Sequence, residues 1–134
     1  MSAHAISANY GFKRSVGLPY AEAVERARAA LQQEGFGVLC EIDIKDKLRE
    51  KLGVDFRNYV ILGACNPTLA HEALQREIDI GLLLPCNVIV YEDNRGTVVS
   101  AVDAAKLLSL IGNSELAAIA AQVNEKLQRV IESI

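Results

Sequence analysis

Asn87-Val88-Ile89-Val90-Tyr91-Glu92 and Thr97-Val98-Val99-Ser100-Ala101-Val102 are two β-branched runs separated only by Asp93-Asn94-Arg95-Gly96. Two such runs joined by a short glycine-containing loop predict a β-hairpin. Further upstream, Phe56 to Ala64 is a nearly continuous apolar run around Tyr59-Val60-Ile61-Leu62, which predicts a central strand buried on both faces. Asn66 is a good N-cap and Pro67 a good first helical residue, so a helix follows with Ala70, Leu74 and Ile78 as its apolar stripe and Gly81 as its end. Downstream, Asp103 caps a helix expected over Ala104 to Leu110. After the break at Gly112-Asn113-Ser114 comes a long helix in which Leu116, Ile119, Val123, Leu127, Val130 and Ile134 recur at spacings of three or four.

The amino-terminal half supplies the remaining elements. Asn9 to Val16 reads as a first strand stopped by Gly17-Leu18-Pro19, and Tyr20 to Glu34 as an amphipathic helix carrying Val24, Ala27 and Leu31. Phe36 to Ile44 alternates as a strand with Glu41 and Asp43 on its outward face, and Lys45 to Lys51 is a short charged helix ended by Gly53. Strands and helices are intermixed with no linker between them. The expectation is one α+β domain over residues 1–134, with a mixed or antiparallel sheet of about five strands, helices covering it, and a long C-terminal amphipathic helix. A doubly wound fold is the alternative. Residues 1–8 are expected to form a mobile terminus.

The chain has 134 residues, 51% hydrophobic and 23% charged, which fits a single domain. Fourteen Lys and Arg against seventeen Asp and Glu give a formal charge of −3, so no cationic excess is available to neutralise phosphates and nucleic acid is not an expected partner. The first ten residues lack a basic segment followed by an apolar run, and the longest apolar tract, Ile80 to Tyr91, is broken by Gly81, Pro85 and Asn87. A cytoplasmic protein with no membrane segment is expected. Three cysteines, an odd number, do not suggest a disulfide framework.

Chemistry concentrates at a repeated pair of residues. Gly63-Ala64-Cys65-Asn66-Pro67 follows one strand and Leu84-Pro85-Cys86-Asn87 precedes another, each Cys-Asn standing beside a proline. Cys65 lies just outside a helix amino terminus, where unpaired N–H groups and the helix dipole favour a thiolate or an anion. The strands carrying Cys65 and Cys86 are expected to be neighbours through a strand-helix-strand crossover, so both thiols face one cleft. Glu41 supplies a carboxylate near that cleft. The candidate ligand-binding set is therefore Glu41, Cys65, Asn66, Cys86 and Asn87. The bland alternative makes both cysteines small buried apolar residues and Asn66 only a cap. His71 falls on a polar helix face, which leaves no Cys-His pair for thiol hydrolysis. A phosphate loop, a G-x-G-x-x-G turn and H-E-x-x-H are all missing, so no nucleotide cofactor is indicated and any other cofactor is left open.

Glu41 and Asp43 on a strand, Tyr59 through Pro67, and Ile80 through Glu92 together resemble the domain of unknown function 302 family, over almost the whole chain from about Tyr10 to the last helix. The resemblance implies a small α+β domain, a tendency to form homodimers, and a common site lined by Cys65, Cys86 and Glu41. It implies no reaction. Three functions follow as expectations: a binding module for a small molecule or soft metal, a thiol redox protein or enzyme using Cys65 and Cys86, and a homodimeric structural protein whose Leu116 to Ile134 stripe packs partly across the subunit interface.

Overall fold

In the computed structural model, which describes residues 6–134, the chain runs β1 (Ile6–Ala8), β2 (Gly11–Val16), α1 (Tyr20–Gln33), β3 (Gly37–Asp43), α2 (Ile44–Leu52), β4 (Tyr59–Cys65), α3 (Pro67–Arg76), β5 (Cys86–Asp93), β6 (Gly96–Val102), α4 (Ala104–Leu108) and α5 (Ala117–Ser133). The strands form one sheet in the order β1-β2-β6-β5-β4-β3, and every pairing is antiparallel. The hairpin forms where its sequence predicts, with Asp93 opposite Gly96. Asp93 Oδ1 accepts from the Arg95 N–H at 2.8 Å, and Gly96 takes φ 130°, a conformation that favours glycine. Of the mobile terminus expected over residues 1–8, residues 1–5 lie outside the described residues, while Ile6–Ala8 pairs with β2.

Helices α1 and α5 cross one face of the sheet. The core between them is aliphatic: Leu62, Val88, Val90 and Val99 from the strands meet Ala27, Leu31, Leu127 and Val130, all fully buried. The whole Leu116 to Ile134 stripe is buried within the chain, from Leu116 at 1% to Ile134 at 7% exposure, so it leaves nothing for a subunit interface. Caps fall largely where polar side chains predict them. Asp43, Asn66 and Asp103 each accept from the N–H three residues on, and Asn113 opens a 3-10 turn that leads into α5.

Among the described residues no helix buries side chains against the opposite face of the sheet, which corrects the reading of Tyr59 to Ala64 as buried on both sides. Val60, Leu62 and Ala64 are buried, whereas Tyr59 and Ile61 are only half-buried. Phe56 to Asn58, read as part of that strand, precede β4 as a loop. The apolar stripe of α3 also shifts. Leu69 and Ala73 are its buried residues, and Ile78 lies beyond the helix end, 76% exposed in a 3-10 segment. The α4 helix stops at Leu108 and continues only as a 3-10 turn over Ser109–Ile111.

Candidate functional site

The excursion from β4 to β5 builds the site. After Cys65 the chain leaves the sheet as α3, turns through the 3-10 segment Ile78–Leu83, and returns to the same end, where Ala64 pairs with Cys86. The strands are neighbours as expected, but antiparallel rather than joined by a crossover, because α3 and the 3-10 segment together bring the chain back instead of carrying it along the sheet. Both Cys-Asn motifs therefore reach one sheet end.

Between that end, α3, α4 and α5 lies a cavity of about 290 Å³. Its inner wall is buried and apolar, with Phe36, Leu69, Ala73, Ile80 and Ile119 contributing, and half-exposed Ala70, Leu83 and Leu107 mark the side open to solvent. Leu39, 69% exposed, also reaches the rim, because the β3–β4 register shifts between Val38 and Cys40. The bulge has a second effect. It turns Cys40 and Ile42 to the uncovered face and places Glu41 and Asp43 opposite Leu62 and Val60 on the helix-bearing face, the reverse of the simple alternation read from sequence.

Cys65, Asn66 and Cys86 all line the cavity. Asn66 is also structural: its Oδ1 accepts from the Leu69 N–H at 3.2 Å, and its Nδ2 donates to the Glu34 carbonyl at 3.4 Å. Burial, with the Cys65 charge as a smaller cause, pushes the Cys86 thiol up to about 11. Cys86 is thus a neutral thiol near pH 7, a poor nucleophile but compatible with an apolar wall. Among the described residues no group of three or more His, Cys, Asp or Glu is placed to hold a metal ion.

Glu41 and Asn87 stand outside the cavity. Glu41 forms an ion pair with Arg28 of α1 at the β3 edge of the sheet. Asn87 follows Cys86 in β5 and so points to the opposite face, where it sits across Gly63 from Cys40. A Cβ on Gly63 would lie 2.5 Å from Cys40 Sγ and 2.9 Å from Pro85 Cγ, so close packing there requires glycine. The cavity residues missed in sequence are chiefly Ala70, Ala73 and Leu107. The small residues Ala70 and Ala73, a helical turn apart on α3, are the signal that a volume is left open beside the sheet.

The family model described as Domain of unknown function DUF302 matches residues 12–134. A crystal structure of an uncharacterized conserved DUF302 protein from Bacillus stearothermophilus is similar over 95% of this chain and 100% of its own, with 32% sequence identity and a TM-score of 0.88. No curated protein matches the chain. No helix among the described residues is long and apolar enough to cross a membrane.

Proposed function

The chain belongs to the DUF302 family, and we propose that it is a binding module that holds a small, uncharged, largely apolar molecule in the cavity bounded by Cys65, Asn66 and Cys86. The observation that carries the reading is the cavity itself. It is close to the lower size of ordinary ligand sites and is walled by aliphatic side chains with a few polar groups at one place, the composition that favours burial of an apolar ligand oriented by a small number of hydrogen bonds. Asn66, already committed to Leu69 and Glu34, keeps further acceptor capacity on Oδ1. The raised Cys86 thiol supports a neutral occupant over a metal held by two thiolates or a thiolate nucleophile.

The test uses 1-octanol as probe. Titration into 15N-labelled protein is expected to give saturable shifts at Cys65, Ala73 and Leu107, lost in Ala70→Phe, which puts a ring into the cavity from a half-exposed position. Native mass spectrometry of freshly purified protein then asks for a retained mass absent from that variant. Shifts that never saturate, or that persist unchanged in Ala70→Phe, overturn the reading.

A further inference from the structure

We propose a second ligand site on the uncovered face of the sheet, a groove that takes a small aromatic anion, with the ring against Tyr59 and Tyr91 and the acid group between Lys13 and Arg57. It is separate from the cavity above, on the other side of β4 and β5, and does not depend on that reading.

The register fixes the floor. Antiparallel pairing lines up Lys13, Ser100, Ile89 and Ile61 as one row across β2, β6, β5 and β4, and beyond the Val88–Ala101 pair the next row holds the pairs Gly11–Val102 and Asn87–Gly63. The second row is low because two of its four residues are glycines. A Cβ on Gly11 would stand 3.0 Å from the Ala101 carbonyl oxygen and 3.2 Å from Ser100 Oγ. One end of the groove is aromatic. Tyr59 and Tyr91, directly opposed on β4 and β5, stack with centroids 5.4 Å apart and planes 11° apart, and Phe56 approaches Tyr59 at 6.3 Å. The resulting concavity has a volume of about 640 Å³.

Charge selects the ligand. Lys13 and Arg57 are the charged residues that line the groove, and no carboxylate does. Arg57 is seated over the Phe56 ring at 5.8 Å and spends one N–H on the Glu92 carbonyl at 3.4 Å, which leaves most of its donors free. Lys13 is exposed and has no ion pair among the described residues. Arg57 also lines the adjoining concavity with Asp55, Glu92 and Asp93, but neither cation forms an ion pair among the described residues, and within the groove itself the charge is wholly positive on a chain of net charge −3, which attracts an anion. Stacked rings beside them supply a face for a planar group.

The probe pair is indole-3-acetate and its uncharged isostere indole-3-acetamide, with inorganic phosphate as an anion lacking a ring. Calorimetry is expected to show saturable binding of the acetate, at least ~10-fold weaker binding of the acetamide, and still weaker binding of phosphate. Lys13→Ala and Arg57→Ala, both at exposed positions, should each weaken the acetate by ~10–15-fold, the lower end of the range for a charge-assisted hydrogen bond. Tyr91→Leu, which keeps an apolar side chain and removes the ring, should weaken acetate and acetamide alike. Ala70→Phe, in the other cavity, should change neither. Equal affinity for the two indoles, or acetate binding indifferent to both cation variants, refutes the site. Light scattering that shows a dimer dispersed by Arg57→Ala, with no indole bound, assigns the face to a second copy of the chain and refutes it as well.

Discussion

Replacing Cys86 by Ala should flatten the alkaline limb of the stability profile. In the folded chain burial, aided by the Cys65 charge, lifts this thiol from 9.0 to about 11. A group whose pKa is raised on folding contributes stability that is complete below its unfolded pKa and is lost as pH climbs towards the folded one, because the unfolded chain sheds the proton first. The window is therefore about pH 9 to 11. At pH ~10.5 the two values imply a loss of about 2 kcal/mol relative to neutral pH, from 1.36 kcal/mol per unit of displacement. Urea denaturation at pH ~8 and ~10.5, on the wild type and Cys86→Ala, isolates this contribution. Any fixed cost of removing sulfur appears at both pH values and cancels, as does alkaline loss from other groups such as Tyr20, pushed up to about 12 by burial and by Asp43 and Glu41. The variant should lose ~2 kcal/mol less than the wild type between the two conditions. Parallel losses would refute the placement of Cys86 in a desolvated wall. Cys65→Ala should give a smaller change in the same direction.

Three further outcomes follow from packing. Gly63→Ala should destabilise by ~1–3 kcal/mol through the close approach to Cys40 and Pro85, and Cys40→Ala in the same chain should restore part of it, as a denaturant midpoint comparison will show; a neutral single variant would contradict the contact. Leu127→Ala, at a fully buried position in α5, should cost ~2–5 kcal/mol by thermal or chemical unfolding. Arg14→Ala should cost ~1.5–3 kcal/mol and raise hydrogen exchange in the last turn of α5, because its guanidinium donates to the Ile131 carbonyl at 2.9 Å and to those of Glu132 and Ile134 at 3.3 Å.

Much of the fold is legible because it rests on local rules. The hairpin turn, the Asn66 and Asp103 caps and the α5 stripe are each written within a few residues. The β3 bulge is not. A one-residue register shift near Leu39 depends on what the partner strand presents, and it reverses the faces of Cys40, Glu41 and Ile42 without altering their alternation in sequence. The site divides in the same way. Cys65, Asn66 and Cys86 converge because both motifs flank an excursion that returns to its origin. Glu41 is drawn to Arg28, an ion pair between α1 and β3 that depends on how the helix packs on the sheet, and Asn87 is turned away by the pleat. The bare side of the sheet is not legible in the sequence because Tyr59, Ile61, Ile89 and Tyr91 are as apolar as core residues, and composition alone does not say which face a helix will cover.

The pleat at Cys86 and Asn87 has one further consequence. Consecutive residues of β5 serve two surfaces that never meet, Cys86 and Val88 the side under the helices and Asn87 and Ile89 the side left bare. Inserting or deleting a single residue inside this strand would exchange the two sets, sending thiol and valine outward and amide inward. Sequence change can thus tune either surface by substitution, one side chain at a time, but the strand's length is a common property of both. Neither chamber can be remodelled by a shift in spacing without dismantling the other.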